Sequence, residues 1–145
     1  MTRILGLDYG TARVGVAVSD PIGLTAQPLD HIPARDRKQC LHAIAALCRE
    51  RDVGRIVLGL PRQLDGDEGL ACKDARAFGE GVQQATGLTV EYFDERMTTG
   101  AVQRVLIDAD VSRARRKQKI DSMAAALLLQ NYLDAAGGLG EAVGP

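Results

Sequence analysis

The chain opens with two apolar runs that suit β-strands. Residues 3–8 are short and apolar, and residues 13–19 (RVGVAVS) alternate with a period of two. Gly10, Thr11 and Ala12 form a tight connection between them, so the two runs read as a hairpin. A third extended segment fits residues 24–32, where Pro28 and Pro33 lack an amide hydrogen and confine the strand to a sheet edge. Over residues 36–51 the period changes, and Leu41, Ile44, Ala45, Leu47 and Cys48 recur at helical spacing. Gly54 breaks the chain before residues 55–60, a continuous apolar run of the kind buried in a parallel sheet and stopped by Pro61. Residues 62–69 read as a polar loop. Residues 70–85 read as a second helix, weakened by Gly79 and Gly81 and ended at Gly87. Residues 88–93 suit another strand, and Thr98 or Thr99 can cap a helix over 100–109. A basic stretch at 112–119 precedes a last helix at about 120–135.

This order of elements predicts an α/β fold, a mixed five-stranded sheet flanked by helices. It also predicts that the ends of the first and last strands lie near each other in the middle of the sheet. A chain of 145 residues, 46% hydrophobic and 26% charged, suits one globular domain. That domain is expected to span residues 1–136, with a Gly-rich, mobile tail over 137–145. Aromatic residues make up 3% of the chain, which disfavours a base-stacking platform. The net charge of −1 means that any grip on nucleic acid must come from a local basic patch. Cys40, Cys48 and Cys72 have no CxxC spacing and read as reduced thiols in a cytosolic protein. No secretory leader and no apolar run long enough for a bilayer are visible, so a cytoplasmic protein without a membrane partner is expected.

Acidic residues stand where apolar runs meet other elements: Asp8 after the first, the pair Asp94 and Glu95 after the fifth extended run, and Asp121 at the start of the last helix. Hard divalent cations prefer such oxygen donors, so the three positions suggest a metal-dependent phosphoryl-transfer site. Each also has a plain structural reading. Asp8 can satisfy a hairpin turn, Asp94 and Glu95 can belong to a helix cap, and Asp121 can answer a helix dipole. Strand alternation allows only one of Asp94 and Glu95 to face the metals. Arg113, Arg115, Arg116, Lys117 and Lys119 form a charge run that is ordinarily solvated; beside an acidic metal site it can hold a phosphate backbone. His31 and His42 lack ligand spacing, and Ser19 lacks a histidine partner.

Four ordered segments together resemble the YqgF/RuvX family, the Holliday-junction-resolvase-like branch of the ribonuclease H superfamily. They are residues 6–15 (GLDYGTARVG), Gly59-Leu60-Pro61 with Asp65-Gly66, residues 94–99 (DERMTT), and Lys119-Ile120-Asp121 leading into Ala124-Ala125 and residues 129–133. The resemblance implies an RNase H-like fold and a bacterial cytoplasmic nuclease using Mg²⁺ or Mn²⁺. It further implies 5′-end processing of pre-16S ribosomal RNA, with cleavage of four-way DNA junctions as the alternative. Carried onto this chain, Asp8, Glu95 and Asp121 become the catalytic metal triad, with Asp94 as the alternative to Glu95. Arg13, Arg96 and Thr98 join the 113–119 run in binding nucleic acid.

One departure stands out. The central parallel strand ends in Gly59-Leu60-Pro61 without an acid, so the middle ligand must come from the next strand; Asp65, on a loop, is a weaker candidate. The expected partner is structured RNA or branched DNA. The expected state is a monomer or weak homodimer; a resolvase would need a symmetric pair of sites, so a strict monomer would favour RNA processing. The competing classes are a non-catalytic nucleic-acid-binding module and an actin-like nucleotide-binding module. The latter normally closes two domains on its nucleotide.

Overall fold

In a computed structural model, residues 2–60, 70–94 and 122–136 are described. The hairpin is β1 (Arg3–Tyr9) and β2 (Arg13–Ser19), antiparallel, with Leu7 opposite Val16 and Asp8 opposite Gly15. β3 (Ala26–Pro33) pairs with the other side of β2 and is an edge strand, as its two prolines predict. The chain continues as α1 (Arg37–Glu50), β4 (Val53–Leu60), α2 (Leu70–Thr86) and β5 (Val90–Asp94), in the expected alternation. β4 runs parallel to both β1 and β5, and the order across the sheet is β3-β2-β1-β4-β5. The last described element is α3 (Met123–Ala136). The expected helix at 100–109, the basic stretch and the tail lie outside the described residues.

Two expectations need correction. β5 is an edge strand, and β4 separates it from β1, so the first and last strands do not meet in the middle of the sheet. The reason is that α2 returns the chain to the outer side of β4, continuing the sheet outward. Gly54 does not break the chain before β4 but lies inside it, where Thr2 packs into the space a side chain would take. The turn out of α1 is made earlier, by Arg51, whose N–H donates to Leu47 C=O at 2.9 Å, and by Asp52 at φ 56°. A short polar side chain is among the few that accept that left-handed conformation.

Alternation along the strands divides the core. Leu5, Leu7, Val14, Val16, Val18, Ile56, Leu58 and Val90 face α1 and α2, where Cys40, Ile44, Cys48, Phe78 and Val82 meet them. The opposite face carries smaller groups. Ala17 and Val57 pack there against Ala125, Ala126, Leu129, Tyr132 and Leu133 of α3. Gly6 lies under that helix: a Cβ at Gly6 would stand 2.9 Å from Leu129 Cβ and 3.3 Å from the Ala125 carbonyl oxygen. Gly79, which weakens α2 by propensity, is required by packing, because a Cβ there would collide with the Tyr92 ring and hydroxyl. The far end of α3 is tied by polar groups. Tyr132 Oη donates to Glu91 Oε1 at 2.8 Å and accepts from Arg55 Nη1 at 2.9 Å. Burial, reinforced by the Glu91 contact, raises the Tyr132 phenol above its ordinary pKa.

All three cysteines are buried free thiols. Burial pushes the Cys48 thiol up to about 11 from 9.0, against a smaller opposing pull from Arg49. Burying the neutral thiol contributes stability below pH 9.0. That contribution is lost as pH rises from 9.0 toward about 11, because the unfolded chain ionises first.

This packing has two measurable consequences. Gly6→Ala should lower unfolding stability by about 1–3 kcal/mol, the usual cost of overpacking, read from the urea midpoint; an unchanged midpoint would contradict the seating of α3. Iodoacetamide at pH 8 should leave Cys48 unmodified in the folded chain and label it readily in urea. Equal labelling in both states would show that the thiol is not buried.

Candidate active site at the C-terminal edge of the sheet

β1, β4 and β5 are parallel and end together, so Tyr9, Leu60 and Asp94 lie along one edge of the sheet. Ligand sites of open α/β sheets gather at this carboxyl edge. Asp8 is partly exposed there, one residue before the end of β1. Its parity is that of Ile4 and Gly6, which places it on the α3 face. Its pairing partner on β2 is Gly15, and the β1–β4 register, continued one step past Leu7↔Leu58, sets Gly59 on its other side. Neither neighbour carries a side chain. The next residue along the row is Phe93, which turns edge-on to Tyr132 at 5.8 Å between ring centroids. Asp8 thus stands between two glycines in this row, and the acid-free end of β4 contributes one of them.

Ser122 fixes where α3 begins. Its carbonyl accepts from Ala126 N–H at 2.9 Å, the first bond of the helix, which makes it the N-cap. Its hydroxyl does not cap the helix. Oγ accepts from Val16 N–H at 2.9 Å across 106 residues of sequence, and the group is fully buried. The β2–β3 register shifts between Val14 and Val16, and the Val16 N–H turns to α3 there. Sequence reasoning missed Ser122. The available signal was a serine just ahead of an apolar helix, an ordinary cap by type, but nothing local marks its partner on β2.

The opposite face of the same edge holds a second feature missed from sequence. Tyr9 stacks on Phe78 with ring centroids 4.4 Å apart, and the Arg37 guanidinium lies over both rings, at 5.8 and 5.5 Å. Arg37 Nη2 also donates to Tyr9 Oη at 3.3 Å.

Of the residues proposed from sequence, Asp8 is at this edge. Arg13 is exposed at the start of β2, paired with Pro33. The Asp94 backbone closes β5 opposite Leu60. Glu95, Arg96, Thr98, Arg113, Arg115, Arg116, Lys117, Lys119, Asp121 and Asp65 lie outside the described residues. Glu91 and Phe93 face α3. Among the described residues, no three His, Cys, Asp or Glu side chains gather as a metal cluster, and no helix is long and apolar enough to cross a membrane.

The five-stranded mixed sheet with helices on both faces is the fold of the RuvC-like resolvases. RuvC of T. thermophilus, solved in complex with a Holliday junction substrate, superposes with a TM-score of 0.55 at 14% identity, over 93% of this chain and 95% of that one. The fowlpox virus Holliday junction resolvase gives a TM-score of 0.57 at 16% identity, over 92% and 99%. At these identities the likeness is one of fold. Sequence goes further. The RuvX family, described as Holliday junction resolvase, matches residues 2–135. A relative from Pelotomaculum thermopropionicum, named "Putative pre-16S rRNA nuclease", is 49% identical over 136 residues, 93% of this chain and 88% of its own. The chain belongs to the RuvX family.

Removing the Ser122 hydroxyl leaves a buried N–H on β2 without a partner. Ser122→Ala should therefore cost about 1–3 kcal/mol in a chemical denaturation series. A loss of a few tenths would mean that Ser122 does not anchor α3.

Proposed function

We propose that this protein is a divalent-metal-dependent endonuclease that hydrolyses phosphodiester bonds in 5′-end processing of pre-16S ribosomal RNA. The observation that carries the reading is Asp8: a carboxylate on the α3 face of the central strand, flanked by Gly15 and Gly59, at the edge of the sheet where the parallel strands end. The named relatives supply the substrate class.

Asp8, Glu95 and Asp121 would hold the metal. Their donor chemistry fits Mg²⁺ or Mn²⁺, because all three offer hard oxygen ligands and no competing thiol or imidazole belongs to the set. Two features support the grouping. Glu91 and Phe93 set the parity that favours Glu95 over Asp94, and Asp121 directly precedes Ser122, whose hydroxyl is bound to β2 one residue from Gly15. A metal bound there would lower the pKa of the attacking water and stabilise the leaving oxygen.

The chain's own part is positional. Glycines beside Asp8 let a phosphate approach the strand, and the N-terminal end of α3 favours negative charge nearby. Arg13 and Arg96 would hold phosphate oxygens bidentately, Thr98 would donate a hydroxyl, and the 113–119 run would follow the backbone. A single copy suffices for cutting one RNA strand, and a cytoplasmic location follows from that substrate.

Asp8→Asn keeps the shape of the side chain and removes its charge. With Mn²⁺ and a labelled pre-16S 5′-leader RNA, the variant should cut at least about 100-fold more slowly while keeping the wild-type urea midpoint. EDTA should abolish cutting by the wild type. Metal-dependent cleavage that survives in Asp8→Asn would reject the site. Symmetric cutting of a four-way DNA junction, with the RNA left intact, would reassign the substrate.

A further inference from the structure

Of the residues proposed to act on RNA, the described ones, Asp8 and Arg13, stand at the carboxyl edge of the sheet. The other face of that edge is also basic. Arg35 and the first-turn residues Arg37 and Lys38 lie at the start of α1, and Lys73 lies in the first turn of α2; all four are exposed. Both helices begin where the parallel strands end, and neither has an acid in its first turn. Cations at a helix N-terminus oppose its dipole, so helix stability does not account for them.

Nor do ion pairs. Among the described residues, no carboxylate lies within ion-pair distance of Arg35, Arg37, Lys38 or Lys73. The neighbouring acids are Asp36, whose carboxylate accepts from Gln39 N–H at 3.2 Å, and Asp74. Arg37 is exposed and lies over the Tyr9 and Phe78 rings, with one N–H donated to Tyr9 Oη. A guanidinium ordered in this way loses little freedom on gripping a phosphate. Tyr9 follows Asp8 directly, and successive strand residues turn to opposite faces, so Arg37 stands across the sheet edge from the candidate metal site. Lys73 is five residues ahead of Phe78, about 7 Å nearer the start of α2.

We propose that Arg35, Arg37, Lys38 and Lys73 form a second nucleic-acid-binding surface, which takes backbone phosphates flanking the scissile bond as the substrate strand crosses the sheet edge from the α3 face to the α1–α2 face. This inference rests on the nuclease reading above and is read by binding, without cleavage.

The test titrates the labelled pre-16S 5′-leader RNA in EDTA across a salt series. Arg35→Gln/Arg37→Gln/Lys38→Gln should bind about tenfold or more weakly, with the log–log salt slope shallower by about 0.7–0.9 for each phosphate no longer gripped. Lys38→Gln/Lys73→Gln leaves the Arg37 stack intact and should lose a smaller share of both affinity and slope. Arg49→Gln/Arg51→Gln removes two charges at the opposite end of α1 and should bind like wild type. The proposal is overturned if the triple variant matches wild type, or if the Arg49/Arg51 control falls as far as Lys38→Gln/Lys73→Gln. Absence of binding by the wild type in Ca²⁺ as well as in EDTA would instead overturn the nuclease reading itself.

Discussion

The close seat of α3 on the central strands is the constraint from which the rest of the architecture follows. Gly6 has no side chain because Leu129 and the Ala125 carbonyl occupy that space. Small groups, Ala17 on the sheet and Ala125 and Ala126 on the helix, fill the interface. Dense packing of this kind tolerates little change of volume, so the helix has a defined height above the sheet. Polar ties fix its direction. Ser122 meets Val16 at one end, and Tyr132 joins Arg55 and Glu91 at the other. Because α3 runs against β1, its N-terminal end is delivered to the edge where Asp8 stands.

The two faces of the sheet divide the work. Among the described residues, the α1–α2 face carries more of the large buried side chains, among them Phe78, Ile44, Leu5 and Leu58. The α3 face brings together segments that are remote in sequence. Its long-range contacts carry the cost of closing long loops. The free edge of β3 is protected as well. Pro28 has no N–H to offer, and the Ala26 N–H is taken by Gln130 Oε1 at 3.1 Å. Such measures keep an edge strand from pairing with a second chain.

Much of the fold was legible in the sequence. Period-two alternation identified β2, helical spacing identified α1, and the continuous apolar run identified β4 as a buried parallel strand. The prolines of β3 marked an edge, and Gly87 at φ 74° ended α2 as expected. These are local rules, in which chain stereochemistry and side-chain period act within a few residues. The reading failed where a local signal had a non-local cause. Gly54 read as a break and Gly79 as a weak point in a helix, yet Thr2 and Tyr92 fill the space beside them. The candidate site was legible only as residue types: an acid at the end of β1, followed by a glycine turn, asks for a cation or a backbone donor wherever it occurs.

The sequence by itself determined the elements, the family and the chemical character of Asp8. Only the tertiary structure decided that β5 lies outside β4, that Gly15 and Gly59 are the neighbours of Asp8, that Ser122 reaches Val16, and that Arg37 is braced on Tyr9 and Phe78. The physical reason is the same in each case. Strand order, register and cross-face contacts are set by which surfaces exclude water together and which buried N–H groups find an acceptor, and those partners are tens of residues apart in the chain.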